Sequence, residues 1–112
     1  MKFVLCLYVT PGETTFGDWY LLKTFESQTL PRVDEFVEIG GNAIRVDSVY
    51  HNLLKGVAES RCLCNLYDAC HAFVEDPSGW TLGGANRKEK EEFRKTVKRL
   101  IAKRSLRSPH KT

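Results

Sequence analysis

The chain has 112 residues, enough for one small domain with a modest hydrophobic core and too few for two. Its composition, 42% apolar with 6 Phe, 4 Tyr and 2 Trp, excludes an intrinsically disordered protein. The net charge of +3 is divided unevenly, because residues 1–86 carry 6 Lys/Arg against 11 Asp/Glu and residues 87–112 carry 11 against 3. An acidic body followed by a basic tail predicts that the tail meets a polyanion, or the body's own acidic surface.

The first predicted element is a buried strand at residues 3–9. Its sequence, FVLCLYV, is apolar on both faces, which is typical of a strand covered on two sides. The run is short for a signal peptide, and no small-residue cleavage site follows it. No stretch approaches the ~20 apolar residues that span a bilayer. We therefore expect a cytoplasmic protein that has no membrane partner.

The next elements are strands as well. Asp18–Glu26 is rich in bulky residues, and Glu35–Ile39 and Ala43–Tyr50 alternate around a Gly-Gly turn, the signature of a β-hairpin. Val57–Leu66 alternates again. These strands predict a mainly β (α+β) fold, a small five-stranded antiparallel barrel over residues 1–84, because closure of the sheet removes exposed edges.

The segment between this barrel and the tail is less clear. Tyr67–Val74 fits a helix or a continued strand, since Ala69, Ala72 and Phe73 can share a helical face. After a strong turn, Trp80–Leu82 predicts a short closing strand.

A C-terminal amphipathic helix is predicted at residues 86–107, packed on the barrel or extending from it. Asn86 and Glu89 have the spacing of a capping box. A narrow apolar stripe follows, formed by Phe93, Val97, Leu100 and Ile101. Ser108-Pro109 ends the helix, and residues 108–112 are predicted to be a disordered tail.

Basic residues surround that stripe and form the main candidate site. The candidates for contact with phosphates or acidic side chains are Arg94, Lys95, Lys98, Arg99, Lys103 and Arg104. A solvated helix that uses its charge for solubility explains the same pattern equally well. A membrane-surface helix is disfavoured, because four apolar residues without a Trp make a small hydrophobic face.

The cysteines raise a second possibility, a zinc- or thiol-dependent protein that uses Cys62, Cys64, Cys70 and His71. Zinc sites usually offer pairs of cysteines two to four residues apart, whereas a single-residue gap places both sulfurs on one strand face. That face suits buried thiols acting as small hydrophobic groups. We predict free cysteines, no bound metal and no cofactor.

No enzyme signature is present, since the glycine pairs lack the strand-to-helix context of a phosphate loop. The chain is therefore predicted not to be an enzyme. Aromatic residues near turns can form a binding surface, and Phe16 and Trp80 are the candidates for it.

Residues 30–51 resemble a known group of proteins. The run LPRVDEFVEI, followed by IRVDSVYH, is similar to small bacterial and phage proteins in which Leu-Pro-x-Val-Gly-Glu-x-Val leads into a hairpin ending Val-x-x-Val-x-His. The resemblance implies a short SH3-like barrel and a bacterial or mobile-element origin. One departure is Asp34, which stands where the pattern usually has Gly, so the turn before the hairpin is expected to differ.

The expected function is a non-catalytic binding module whose basic helix contacts nucleic acid or another acidic partner. The alternative is a phage or mobile-element protein that binds another protein stoichiometrically, for example as the inhibitor of a host defence complex. A homo-oligomer is also expected as an alternative, because the acidic body and the basic helix can pair between copies.

Overall fold

The fold is centred on the apolar N-terminal run, which forms strand β1 (Lys2–Val9). The computed structural model describes residues 2–10 and 19–107, with side chains described as far as residue 104. The other strands are β2 (Trp19–Glu26), β3 (Phe36–Ile39), β4 (Asn42–Arg45), β5 (Ser48–Asn52), β6 (Val57–Cys64) and β7 (Thr81–Gly83), and the helices are α1 (Leu66–Glu75) and α2 (Arg87–Arg107).

Five of the strands form one sheet in the order β5-β6-β1-β2-β7. β1 pairs antiparallel with β2 and parallel with β6, so that it lies at the centre of the sheet. This position explains the apolar residues on the face of β1 that packs against the core, whereas the predicted cover on its second face is not observed among the described residues. β3 and β4 form a separate antiparallel hairpin, and Gly40 and Gly41 supply its turn with φ of 60° and 86°.

The molecule is a mixed α/β domain, and the predicted closed antiparallel barrel is not confirmed. The sheet is open, with β5 and β7 at its two ends, and its central β1–β6 pair is parallel. Within the described ranges, α1, α2 and the β3–β4 hairpin cover the apolar face of the sheet. The ambiguous segment 67–74 belongs to α1, which begins with a hydrogen bond from the Asp68 N–H to Asn65 Oδ1 at 2.8 Å.

The hydrophobic core lies on one side of the five-stranded sheet, called here the core face. On β1 this face is formed by Phe3, Leu5, Leu7 and Val9, all of them buried. Side chains from β2, β4, β6, α1 and α2 pack against it, including Trp19, Leu21, Ile44, Cys62, Ala69 and Phe93. The buried Ser60 hydroxyl donates to the Pro31 carbonyl at 2.8 Å, which fixes the linker before β3 beneath β6.

The opposite side of the sheet, called here the open face, has no helix over it in the part of the chain that the structure describes. Alternation along β1 places Val4, Cys6 and Tyr8 on this face. Cys6 is buried among its neighbours, whereas Val4 and Tyr8 are half-buried. The domain therefore has one helix-covered face and one bare face.

Candidate functional site

Helix α2 starts at a capping box, as predicted. The Glu89 N–H donates to Asn86 Oδ1 at 2.8 Å, and the Asn86 N–H donates to Glu89 Oε1 at 2.9 Å. The pair satisfies two backbone donors that have no partner within the helix. The first turn of the basic helix is thereby fixed.

One aromatic side chain holds α2 against the rest of the domain. Phe93 is buried, with its ring edge-on to Trp19 at 5.7 Å and to Phe73 at 5.3 Å between centroids. Thr96 is also buried, while Val97 and Leu100 are half-buried against the core. Burial of these side chains stabilises the helix position, because removal of apolar surface from water is the main favourable contribution to folding. The basic helix is a docked element of the domain, not a loose arm.

The far end of α2 is tied to α1 by a second contact. Arg104 Nη2 lies 3.3 Å from Glu75 Oε2, and Arg104 Nη1 lies 3.4 Å from the Val74 carbonyl oxygen. Because both side chains are partly exposed, this ion pair contributes little stability by itself. It does direct Arg104, one of the predicted contact residues, toward α1. Among the residues whose side chains are described, the other five predicted residues form no salt bridge of this kind.

Those five residues form what we call the basic ridge: Arg94, Lys95, Lys98, Arg99 and Lys103. All five are exposed, and within residues 2–10 and 19–104 none of them lies in a salt bridge. Arg99 Nη2 donates to the hydroxyl of Thr96, at 3.4 Å. At 1.5 Å per residue, the ridge extends over about 14 Å of helix.

The spacing of the ridge concentrates like charge. Arg94 and Lys98, Lys95 and Arg99, and Arg99 and Lys103 each lie four residues apart on the helix surface. Like charges at this spacing destabilise a helix by about 0.2–0.5 kcal/mol per pair. A polyanion laid along the ridge would remove this repulsion.

The open face carries a second cluster, of three tyrosines around an arginine. The Arg61 guanidinium lies 3.8 Å from the Tyr50 ring centroid and 5.5 Å from that of Tyr8, and the Tyr8 and Tyr20 rings are 5.5 Å apart. Arg61 also pairs with Glu59. Leu63, next on the same face, is 59% exposed. This cluster is partly apolar, and the charge of Arg61 is balanced by that of Glu59.

The predicted aromatic surface differs from this cluster. Phe16 lies outside the described residues. Trp80 is half-buried: its Nε1–H donates to the Asp76 carbonyl at 2.6 Å, and its ring lies 6.0 Å from that of Phe25. Trp80 therefore closes the turn before β7 and is not the exposed aromatic residue that was expected.

The four cysteines are buried, as the strand pattern predicted for Cys62 and Cys64. Burial raises the pKa of Cys6, Cys62, Cys64 and Cys70 from an ordinary 9.0 to about 12, so all four are protonated thiols at neutral pH. His71 lies on α1 with its Nε2 3.9 Å from Glu75 Oε1. In the described part of the chain, no three His, Cys, Asp or Glu side chains are placed to hold a metal ion.

No protein-family model, curated protein or solved structure matches this chain. Among the described residues, no helix is long and apolar enough to cross a membrane. The functional argument therefore rests on the two surfaces, the basic ridge and the tyrosine–arginine cluster. The sequence predicted the basic ridge because its residues lie close together on one helix. It did not predict the tyrosine–arginine cluster, because the residues of that cluster lie on four different strands.

Proposed function

We propose that this protein is a non-catalytic binding module that uses the basic ridge of α2 to bind the phosphate backbone of a nucleic acid. The observation that carries the proposal is the way α2 is docked. Phe93 faces inward against Trp19 and Phe73, so the ridge residues are exposed, and none of them is in a salt bridge with the described part of the chain. A rigid, outward row of cations is what a regularly charged polymer needs.

A nucleic acid fits the ridge better than an acidic peptide does. Duplex DNA carries one negative charge per about 1.7 Å of axis, so about 14 Å of ridge faces about eight phosphate charges. Arg94 and Arg99 offer forked donors suited to phosphate oxygens, and the lysines add point charges. An acidic peptide would have to hold flexible carboxylates in register along the helix, at a cost in conformational entropy.

The ridge assignment is tested by paired substitutions of equal charge. The full-length Arg94→Gln/Lys98→Gln protein is compared with Lys2→Gln/Arg32→Gln, which removes two exposed cations away from α2. Binding to a fluorescein-labelled 20-base-pair duplex is followed by anisotropy in about 50 mM salt, where phosphate contacts are strong. We expect the ridge variant to bind at least about tenfold more weakly and the control to bind within about twofold of wild type. Equal losses in both variants, or no binding by wild type, would overturn the proposal.

A second function is supported by the open face. The tyrosine–arginine cluster has the composition of a protein-binding surface, because Tyr and Arg are enriched at such surfaces. This supports the alternative of a stoichiometric protein partner, such as a host complex bound by a phage protein. Purification of tagged full-length protein from its native host, with and without nuclease, separates the two functions. A defined partner that survives nuclease and is lost in Leu63→Glu would favour the open face.

The similarity of residues 30–51 to SH3-like barrel proteins remains a prediction. The segment contains the β3–β4 hairpin, and the resemblance has no bearing on the ridge. The proposal needs no closed barrel.

A further inference from the structure

Strand β5 leaves an unprotected edge on the five-stranded sheet. It pairs only with β6, and in the described ranges its residues 48–51 have no other backbone partner. Proteins usually protect such edges with charged residues, proline, bulges or very short strands. The sequence of β5, SVYHN, contains no charge and no proline. The opposite edge, β7, is only three residues long and is protected by its length.

Grooves flank β5 on both sides of the sheet. On the core side a groove of about 750 Å³ lies between β5 and the linker before β3, lined by Leu30, Val33, Val49 and His51 among others. On the open face a groove of about 680 Å³ is lined by Val4, Leu22, Tyr50 and Val57 among others. A strand added to β5 would place alternate side chains over these two grooves.

The turn after β5 projects apolar side chains beside the same edge. Leu53 is 90% exposed and Leu54 is 100% exposed. At the other end of the strand, the Asp34 N–H donates to the Val46 carbonyl at 2.9 Å, which places the half-exposed Val33 beside the chain that enters β5. The edge therefore has an apolar projection at its C-terminal end, and the core-side groove along it has a mixed lining, in which Arg32 and Glu35 accompany the apolar side chains.

We propose that β5 pairs antiparallel with β5 of a second copy of this chain, forming a twofold-symmetric dimer with one continuous ten-stranded sheet. An antiparallel self-pair brings the C-terminal end of each strand to the N-terminal end of the other. In a register centred on His51, Leu53 of one copy lies opposite Val49 of the other, beside the core-side groove, and the contact occurs twice. A second copy therefore supplies one projection for each core-side groove, whereas an unrelated peptide strand would leave Leu53 and Leu54 without a counterpart.

The absence of charged residues in β5 also permits this strand to pair with β5 of a second copy. Residues 48–52 are uncharged, so a register centred on Tyr50 or His51 brings no like charges face to face within the strand. The twofold axis of an antiparallel pair is perpendicular to the sheet, so both copies present their open faces on the same side. Both α2 helices then lie together on the other side. The dimer itself does not depend on the ridge.

The experiment is sedimentation equilibrium of the full-length protein over a range of concentrations, with three variants. His51→Lys puts a charge at the edge, and Leu53→Glu/Leu54→Glu removes the apolar projection. The control is Thr24→Lys, an exposed site on β2, three strands away from the β5 edge. We expect wild type and control to dimerise with rising concentration and the two edge variants to remain monomeric, with unchanged far-UV circular dichroism in all.

Hydrogen exchange gives an independent measurement on the unmodified protein. Amide exchange within residues 48–52 should slow as the protein is concentrated, because outward N–H groups gain partners in the dimer. The proposal is overturned if wild type stays monomeric at about 1 mM, where an association of only about 4 kcal/mol would be half-formed. It is equally overturned by a dimer that persists in both edge variants or leaves β5 exchange unchanged.

Discussion

Phe93 lies edge-on to Trp19, with their ring centroids 5.7 Å apart, and this contact joins the basic helix to the five-stranded sheet. Trp19 pairs with Val9 at the end of β1, so α2 is anchored next to the strand at the centre of the fold. The acidic body and the basic tail are thus one structural unit.

Replacement of Phe93 should release α2 from the core. Phe93→Ala removes a buried ring with two aromatic neighbours, and we expect it to lower the free energy of unfolding by about 3–5 kcal/mol. Ile101→Ala is the matched control, because Ile101 belongs to the same predicted stripe but is 49% exposed, so its effect should be below about 1 kcal/mol. Urea unfolding followed by tryptophan fluorescence measures both, and similar losses would show that Phe93 is not the anchor.

The capping box should make a contribution to the free energy of unfolding that can be measured separately from that of Phe93. Asn86→Ala removes the acceptor for the Glu89 N–H and should lower the free energy of unfolding by about 1 kcal/mol. Asn86→Asp keeps an acceptor oxygen at the same position and should retain most of the stability. Thermal unfolding followed at 222 nm distinguishes the two, and equal destabilisation would mean that the side-chain acceptor has no role.

Asp34 adopts a left-handed conformation, with φ of 70°, in the turn where the resembling proteins usually have Gly. Asp34→Gly should raise the free energy of unfolding by up to about 1 kcal/mol, since glycine accepts this conformation without steric cost. Asp34→Val should lower it by at least about 1 kcal/mol, because β-branched residues avoid positive φ. Asp34→Asn tests whether the exposed contact with Arg45 matters. Chemical denaturation of the three variants should therefore give the highest free energy of unfolding for Asp34→Gly, a lower one for Asp34→Asn and the lowest for Asp34→Val.

The cysteines provide a prediction about pH. Folding raises the pKa of each thiol from an ordinary 9.0 to about 12, so the folded state holds these protons more tightly than the unfolded state. The stabilisation that arises from these pKa differences is therefore fully present below pH 9 and is lost as pH rises from about 9 toward 12. Urea midpoints should be flat from pH 7 to 8.5 and fall above pH 9. A Cys62→Ala/Cys70→Ala variant should show a shallower fall, and an identical fall would assign the effect to other groups.

The same burial predicts that the native thiols resist alkylation. Iodoacetamide reacts with the thiolate, which is scarce for a group with a pKa of about 12. At pH 8 the folded protein should label slowly at all four cysteines and rapidly after unfolding in urea. Rapid labelling of Cys70 or Cys62 in the folded protein would support the alternative of a thiol-dependent function.

Local sequence features predicted the local parts of this structure well. The α2 helix and its Asn86–Glu89 cap depend on residues a few positions apart, and so does the Gly40-Gly41 hairpin turn. The Asn65 cap at the start of α1 is equally local, whereas the apolar pattern of residues 67–74 fits a helix and a continued strand alike.

The non-local features could not be predicted in the same way. The parallel pairing of β1 with β6 joins residues more than fifty positions apart, and periodicity does not distinguish it from antiparallel pairing. The Tyr8–Arg61–Tyr50 contact likewise depends on strand order and register. The partial burial of Trp80 is also a non-local feature, because its ring packs against Phe25, which is distant in the sequence.

The salt dependence of duplex binding tests the role of the basic ridge most directly. Each phosphate neutralised on B-DNA changes the slope of log K against log salt by about −0.9, so five ridge cations should give a slope of about −4 to −5 for wild type. Arg94→Gln/Lys98→Gln should bring the slope to about −2 to −3, whereas Lys2→Gln/Arg32→Gln should leave it at the wild-type value. A wild-type slope near zero, or one unchanged by the ridge substitutions, would contradict the assignment of α2 as the nucleic-acid-binding element.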